Sequence, residues 1–568
     1  MITTTRRWDQ STPSPYRIPS RCPADRRNAR NTTIEATRQR YPLRTDDLAG
    51  DPATGFRMPP YLPSLPRSER FSASKLADLL GHKLQGQLNG LLARRSITTI
   101  DDYRGMYRTV PMPDHAGRWA DDVEYARQRV AGVNPMHLCA LDRAPDAGPL
   151  LEVASSTLAL HDTTLAKVLD RGRLFETDYA VLADPRVQKY AEASGRYLAA
   201  PRCLFFVDDA DVLRPIAIGL PPDRSCIDAR AYGPRDDVWA WRLAKWHAQV
   251  ADGHVHEAVY HLFETHMVTE LIAVCAARRL HPDHPITQLL RPHFEFNLAI
   301  DVLARTDMLA PGKAIDLALA AGAAGALNAV RIWFNAGWSW RERSLSRELA
   351  ARGVADASRL PYYPYREDSL ALHTIVSEYV GEVMAPFYRD DADARSDGEL
   401  AAWLGECASH LPGFPASVAT RAELFETLTE IVFRASVQHA AVNNGQFDAY
   451  GYVPTSPGAM HAPPPSRRAY TETEAVAALP RGLDAIAQIE MAWVLSEPTH
   501  YGLLGIGDAP AFAADLEPRS REAVSTVRRR LLAYQEDIAR REEREGARRY
   551  GVPYLYLDPR NIERSTGT

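Results

Sequence analysis

Two histidines five residues apart, His261 and His266, lie in the run His256-Glu-Ala-Val-Tyr-His-Leu-Phe-Glu-Thr-His-Met267. No Pro or Gly interrupts the chain from His254 to Arg279, which predicts a helix. In an α-helix five residues turn about 500°, so the two rings would stand about 140° apart and could not share a cation. A π-type turn, with i to i+5 hydrogen bonds, stacks the two positions, and such turns concentrate at functional sites. A second segment, Ala435-Ser-Val-Gln-His-Ala-Ala-Val-Asn-Asn-Gly-Gln446, puts His439 and Asn443 four apart and so on one helical face. Imidazole beside a weak amide oxygen suits a redox iron better than zinc, because a labile ligand leaves the coordination number free to change. Each pair alone is more often packed or solvated side chains than a metal site. Their occurrence on two separate predicted helices is what suggests a metal.

The elements that must position these residues follow from the rest of the chain. Residues 1–66 are rich in Arg, Thr and Pro and lack helical or strand periodicity, which predicts an extended arm, disordered in part. From there to residue 568 no linker-like change of composition appears, and a single large, mostly helical catalytic domain is expected over 67–568. Its helices are placed at 239–250, 254–279, 285–304, 314–335, 370–388, 421–442, 482–496 and 520–548. Leu204-Phe-Phe-Val207 and Pro215-Ile-Ala-Ile-Gly219 predict a small β-hairpin. Pro454 to Ser466, with five prolines, reads as a rigid surface loop.

Composition narrows the function classes. A net charge of −5 argues against a nucleic-acid surface. The six cysteines, Cys22, Cys139, Cys203, Cys226, Cys275 and Cys407, form no CxxC pair, against both a zinc ribbon and a disulfide scaffold. The N-terminus has no apolar signal-peptide core, and the apolar stretch from Ala314 to Phe334 is broken by Asp316, Asn328 and Arg331. A soluble cytoplasmic protein is the expectation, with peripheral membrane contact left open. A zinc hydrolase using His261, His266 and a carboxylate is the alternative, although the His-Glu-x-x-His pattern is missing. A non-catalytic lipid-binding protein is the other.

Beyond the histidines, the blocks Asp121 to Pro135, Leu174 to Tyr179, Ala200 to Phe206, Pro215 to Ile218 and Arg278-Arg-Leu-His-Pro-Asp-His284 through Leu290-Arg-Pro-His293 occur in an order that resembles the lipoxygenase family over residues 70–568. The chain is similar to compact bacterial members, with no room for the β-sandwich lipid-binding domain of animal and plant forms. The resemblance implies a non-haem iron held by His261, His266, His439, Asn443 and the α-carboxylate of the last residue, Thr568, where the family usually has isoleucine. It implies that Glu257 and Gln446 link the amide ligand to the substrate cavity, and that Leu262, Ile300 and Leu495 flank the substrate's pentadiene. Met308 sits where the family often has Leu. His254, His256, His281, His284 and His293 fall at positions that pack or hydrogen-bond without touching iron. The implied activity is insertion of O2 into polyunsaturated fatty acids of the linoleic or arachidonic type by a monomeric enzyme. Ala304 implies mainly S hydroperoxides, since a methyl there blocks one oxygen pocket; Asp301 stands nearby where Asn is usual.

Overall fold

The computed structural model describes residues 17–45, 56–220, 230–466, 469–496, 502–503 and 518–567. The predicted arm is a helix for part of its length: α1 (Ala24–Arg40) corrects the extended reading. Its pattern escapes an apolar-periodicity test because polar contacts hold it. Arg30 is buried in an ion pair with Glu399, whose Oε2 accepts from Nη2 at 3.0 Å. Thr37 is buried on the same helix. The next helix, α2 (Ala73–Leu92), starts on Ser72, whose hydroxyl accepts from the Lys75 amide. Helix α3 (Asp122–Ala131), buried over most of its length, starts on Asp121 in the same way.

The expected hairpin is the centre of a five-stranded antiparallel sheet in sequential order: β1 (Cys139–Ala140), β2 (Leu174–Asp178), β3 (Arg202–Val207), β4 (Leu213–Leu220) and β5 (Arg230–Tyr232). Register shifts between Leu204 and Phe205, where the partner of Phe205 is Pro215. A proline has no N–H to give the ladder, and a bulge is where a strand tolerates one.

The body of the molecule is helical. Helix α4 (Val238–Val255) runs without a break into a π-helix (His256–Met267) and on into α5 (Val268–Arg279). Nearly every residue of this span is buried, so it forms the axis around which one large hydrophobic core is built. Asp252 fastens it. Its carboxylate accepts from Asn134 at 2.7 Å and Tyr179 at 2.8 Å and pairs with buried Arg129 at 2.8 Å, joining α4 to α3 and to the end of β2. Removing one partner of such a buried pair typically costs about 3–5 kcal/mol.

Two expected helices are broken. The 285–304 pattern is interrupted at Arg291–Phe294 by a tighter turn, with Phe296 at φ 61°, before α6 (Asn297–Asp307). The 314–335 pattern splits into α7 (Ala314–Ala318) and α8 (Gly322–Asn335), because Gly322 sits at φ +57° and receives Asp316 where a Cβ would lie. Helix α9 (Pro364–Met384) precedes α10 (Arg421–Phe433), which leads into a second π-turn (Arg434–Gln438) and the short α11 (His439–Asn443). Then come α12 (Leu483–Val494) and α13 (Pro518–Arg544).

The proline-rich stretch is at the surface only in its second part: residues 454–460 are all buried, whereas Pro463 and Ser466 are exposed. Its carbonyls are taken up from inside, Pro454 by Trp246 at 2.8 Å and Ser456 by Gln488 at 2.9 Å, so proline content here marks a rigid buried crossing. Among the described residues no helix is long and apolar enough to cross a membrane.

Candidate metal centre

The π-helix does what the His261/His266 spacing required. The two rings meet at 4.9 Å between centroids, and their Nε2 atoms lie 3.2 Å apart. The second π-turn delivers His439, whose Nε2 is also 3.2 Å from that of His266. All three imidazoles are buried and form the one His, Cys, Asp or Glu cluster of metal-binding geometry among the described residues.

Each flank of the cluster is polarised. His261 Nδ1 donates to Glu257 Oε2 at 3.1 Å, and His266 Nδ1 donates to Asp301 Oδ1 at 2.8 Å. Those bonds fix the tautomers, leaving lone pairs on both Nε2 atoms aimed at one point. Burial pushes His266 down to about 4, and burial with repulsion from the other two rings holds His439 well below the usual imidazole range. Burial also lowers His261, against the pull of Glu257. Three neutral rings with converging lone pairs repel one another unless a cation lies between them, so the donor set fits a metal ion. Burial pushes Glu257 up, but His256 and the bond from His261 outweigh it and its carboxyl ends below the usual range. Asp301 behaves oppositely: burial lifts it to about 7 despite Arg305 and Asn297.

The two histidine-bearing segments are tied directly. Buried Arg434, in the second π-turn, donates to the Glu264 carbonyl in the first at 2.9 Å, and Arg343 Nε donates to the Glu264 carboxylate at 2.8 Å. His256 donates from Nε2 to the Val442 carbonyl at 2.7 Å and accepts the Tyr450 hydroxyl on Nδ1 at 2.7 Å.

Asn443 lies buried one helical turn from His439, and its Oδ1 accepts from Gln446 Nε2 at 2.8 Å. Gln446 therefore holds the amide. Glu257 touches His261 in place of the amide, since its spacing of four puts it directly below that ring. Thr568 lies outside the described residues, but the tail leading to it is firmly placed. His293 donates to the Arg564 carbonyl at 2.7 Å, Ser565 donates to the Glu295 carbonyl at 2.8 Å, and Asn297 donates to the Thr566 hydroxyl at 2.6 Å. Asn297 also donates to Asp301 at 2.9 Å, so the tail sits one side chain from the partner of His266. That partner was not found by sequence reasoning. Asp301 is 35 residues from His266, and no local spacing announces the contact.

Above the cluster opens a cavity of about 500 Å³, within the usual size of small-molecule sites. His261 and His266 form part of its wall, with Leu262, Ile300, Ala304, Met308 and Leu495 around them. His254, His256, His284 and His293 are kept apart by their own bonds, His284 by Asp397 at 3.0 Å and His254 by the Val250 carbonyl at 2.8 Å. His281 accepts the Asp283 amide on Nδ1 at 3.0 Å.

The sequence matches the family described as Lipoxygenase over residues 106–559. The chain belongs to the lipoxygenase family. Lipoxygenases are non-haem iron enzymes, and the histidine cluster has the composition such a centre needs. The chain is 31% identical over 510 residues to the human protein named Hydroperoxide isomerase ALOXE3, covering 87% of this chain and 69% of that one. It is 30% identical over 513 residues to mouse Polyunsaturated fatty acid lipoxygenase ALOX8, covering 87% and 74%. The coral 8R-lipoxygenase crystal structure superposes with a TM-score of 0.87 at 28% identity, over 98% of this chain and 83% of that one. An anaerobic crystal structure of a lipoxygenase deletion variant in complex with arachidonate gives 0.87 at 28%, over 97% and 83%. The helical domain with its small sheet is thus the lipoxygenase catalytic fold.

Proposed function

We propose that this lipoxygenase is a dioxygenase that inserts O2 into polyunsaturated fatty acids carrying a cis,cis-1,4-pentadiene, with mainly S hydroperoxides as products. The carrying observation is the opening of a largely apolar cavity onto His261 and His266, two of the three clustered imidazoles. His261, His266, His439, Asn443 and the α-carboxylate of Thr568 would hold the iron. When bound, that iron supplies one-electron oxidation coupled to proton uptake, which suits removal of hydrogen from a bis-allylic carbon.

The protein's own residues do the rest. Leu262, Ile300 and Leu495 hold the pentadiene against the imidazoles and exclude water, which a carbon radical requires of its surroundings. Glu257 and Asp301 hold the protons on the outer nitrogens of His261 and His266, so the inner nitrogens stay free as donors. Gln446 orients the Asn443 oxygen. Ala304, on the cavity wall, directs the face and carbon at which oxygen arrives.

The test is iron content and oxygen uptake. The purified protein is expected to hold about one iron per chain and to consume oxygen with linoleate or arachidonate, with His266→Ala and His439→Ala losing most of both. Unchanged iron in both variants overturns the assignment, and zinc with no oxygen uptake favours a hydrolase. Because relatives include proteins named hydroperoxide isomerases, products are also followed from a fatty-acid hydroperoxide. Turnover of the hydroperoxide alone would move the reaction to that class on the same site.

A further inference from the structure

Two polar rungs join the histidine-bearing helix to α6, and only the first touches the cluster. It is the bond from His266 to Asp301 at 2.8 Å. Four residues further on in both segments comes the second, where Arg305 grips the buried Glu270 carboxylate with Nη1 and Nη2, each at 2.8 Å. Equal steps of four put the rungs one helical turn apart, about 6 Å along the axis. One rung alone would let α6 pivot about Asp301; two fix both its rotation and its height. A distant piece of chain finishes the second rung. The Leu62 amide donates to Glu270 Oε1 at 3.0 Å, and the Leu62 carbonyl accepts from Arg305 Nη2 at 2.9 Å, so one residue closes both ends of the ion pair. The Tyr61 ring lies 5.0 Å from the guanidinium carbon, and the Tyr61 main chain is itself paired with that of Arg44 at 2.9 and 3.0 Å. The Leu62 side chain is buried in one cluster with Ala273 and Val274 of α5 and Leu298 of α6, straddling the two helices.

We propose that Glu270, Arg305 and the main chain of Leu62 are positioning residues: they hold α6 in the register that sets Ile300 and Ala304 against the substrate, and so decide which carbon and face the oxygen reaches. Ile300, Ala304, Arg305 and Glu270 all line the cavity. A cation in such a wall would ordinarily be offered to the anionic end of a ligand, but Arg305 has both terminal nitrogens committed to Glu270 and Leu62. It acts as wall, not as anchor. A planar guanidinium held at two points by a carboxylate and at a third by a carbonyl cannot turn without breaking bonds. Ala304 directly precedes it, so any rotation of α6 that loosened the rung would move the Ala304 methyl as well. This rests on reading the cavity as the fatty-acid site, with Ala304 directing the oxygen.

The experiment compares the full iron-loaded chain with a double variant, Glu270→Gln with Arg305→Met, and with the milder Arg305→Lys. The double variant removes both charges together, so neither is left buried without a partner, and the glutamine can still accept the Leu62 amide. Lysine keeps the charge but loses the fork. Products from linoleate and arachidonate are separated by position and chirality, and iron content, melting temperature and KM for the free acid and its methyl ester are measured on each protein. Both variants are expected to fold and keep iron, since the first rung stands. The ratio of major to minor isomer is expected to fall about tenfold in the double variant and less in the lysine variant, with KM changing equally for acid and ester. Amide exchange across residues 297–307 is expected to speed up in both variants while that of α3 stays the same. An unchanged isomer ratio in the folded double variant overturns the proposal, as does unchanged exchange in α6. So does a KM that rises for the acid alone, which would make Arg305 a carboxylate anchor. If the double variant does not fold, the lysine variant decides by the same readouts. An unaltered protein that consumes no oxygen with either fatty acid sinks the dioxygenase reading, and the hold on α6 then stands or falls on the exchange rates.

Discussion

Asp301→Asn offers a quantitative test of the cluster's support. Asp301 accepts two hydrogen bonds on separate oxygens, from His266 Nδ1 at 2.8 Å and from Asn297 Nδ2 at 2.9 Å. An amide has one acceptor atom, so asparagine can keep only one of the two and holds it without charge. Above about pH 7, the value to which burial lifts Asp301, its carboxyl is charged, and a hydrogen bond to a charged group contributes about 1.5–3 kcal/mol against about 0.5–1.5 for a neutral one. The expected loss of about 1–1.5 kcal/mol is close to tenfold in metal affinity, if the bond to His266 is the one retained. Asp301→Ala removes both bonds and leaves His266 unsupported, with an expected loss nearer 100-fold, the upper end for a residue behind a metal ligand.

The assay is a chelator titration of iron-loaded protein, read as iron retained per chain, with a melting curve on each variant. Because Asn297 also donates to Thr566, hydrogen exchange in residues 564–567 should speed up in the alanine variant. Losing the anion should also shift the iron's potential upward, since a carboxylate behind the ligand favours the ferric state. A folded Asp301→Ala protein with an unchanged chelator midpoint would refute the view that this carboxylate supports the site.

Ala304→Gly should admit oxygen at the alternative carbon and face, read by chiral chromatography; predominantly R product from the unaltered enzyme contradicts the stereochemical assignment. Extending the chain beyond Thr568 should sharply lower iron and activity while Thr568→Ile preserves both, and a folded extended protein at full rate removes the α-carboxylate from the ligand set. Stability should fall with acid above the range where carboxylates titrate. Burial holds His137, His247 and His293 to about 4, whereas the unfolded chain protonates them near 6.5. The unfolded state then binds more protons between those values, and each histidine removes up to about 3 kcal/mol as pH falls through the window. A melting temperature unchanged from pH 7 to 4.5 would contradict this, and His137→Gln should flatten the slope.

Much of the architecture was legible because it rests on local pattern. The 254–279 helix and the hairpin at 204–219 follow from periodicity, and the need for a π-turn follows from two residues and a rotation angle. The second π-turn, at Arg434–Gln438, left no such trace, since one histidine has no partner in the same helix to put out of phase. Helix α1 was missed because its stabilising contacts are polar and distant, as with Arg30 and Glu399. Residues 454–460, the first part of the proline-rich loop, were placed at the surface with the rest of it because proline content reports stiffness, while burial depends on what the rest of the chain wraps around it. Asp301 illustrates the same limit. Its position was visible as unusual, but its contact with His266 arises only when α6 packs against the π-helix.

The two π-turns that position the histidines explain why the site and the core cannot be separated. A π-turn is a less favourable backbone than the α-helix it interrupts, so it persists where tertiary contacts specify it. Those contacts come from groups that also orient the cluster. Glu264, between the two histidines of the first π-helix, is fully buried and held by Arg343, while its carbonyl takes the Arg434 guanidinium from the second. Relaxing either turn to an α-helix would break the Arg434 bridge and rotate an imidazole away from the others. Register in one segment is therefore conditional on register in the other, and the three nitrogens converge only when both are strained together.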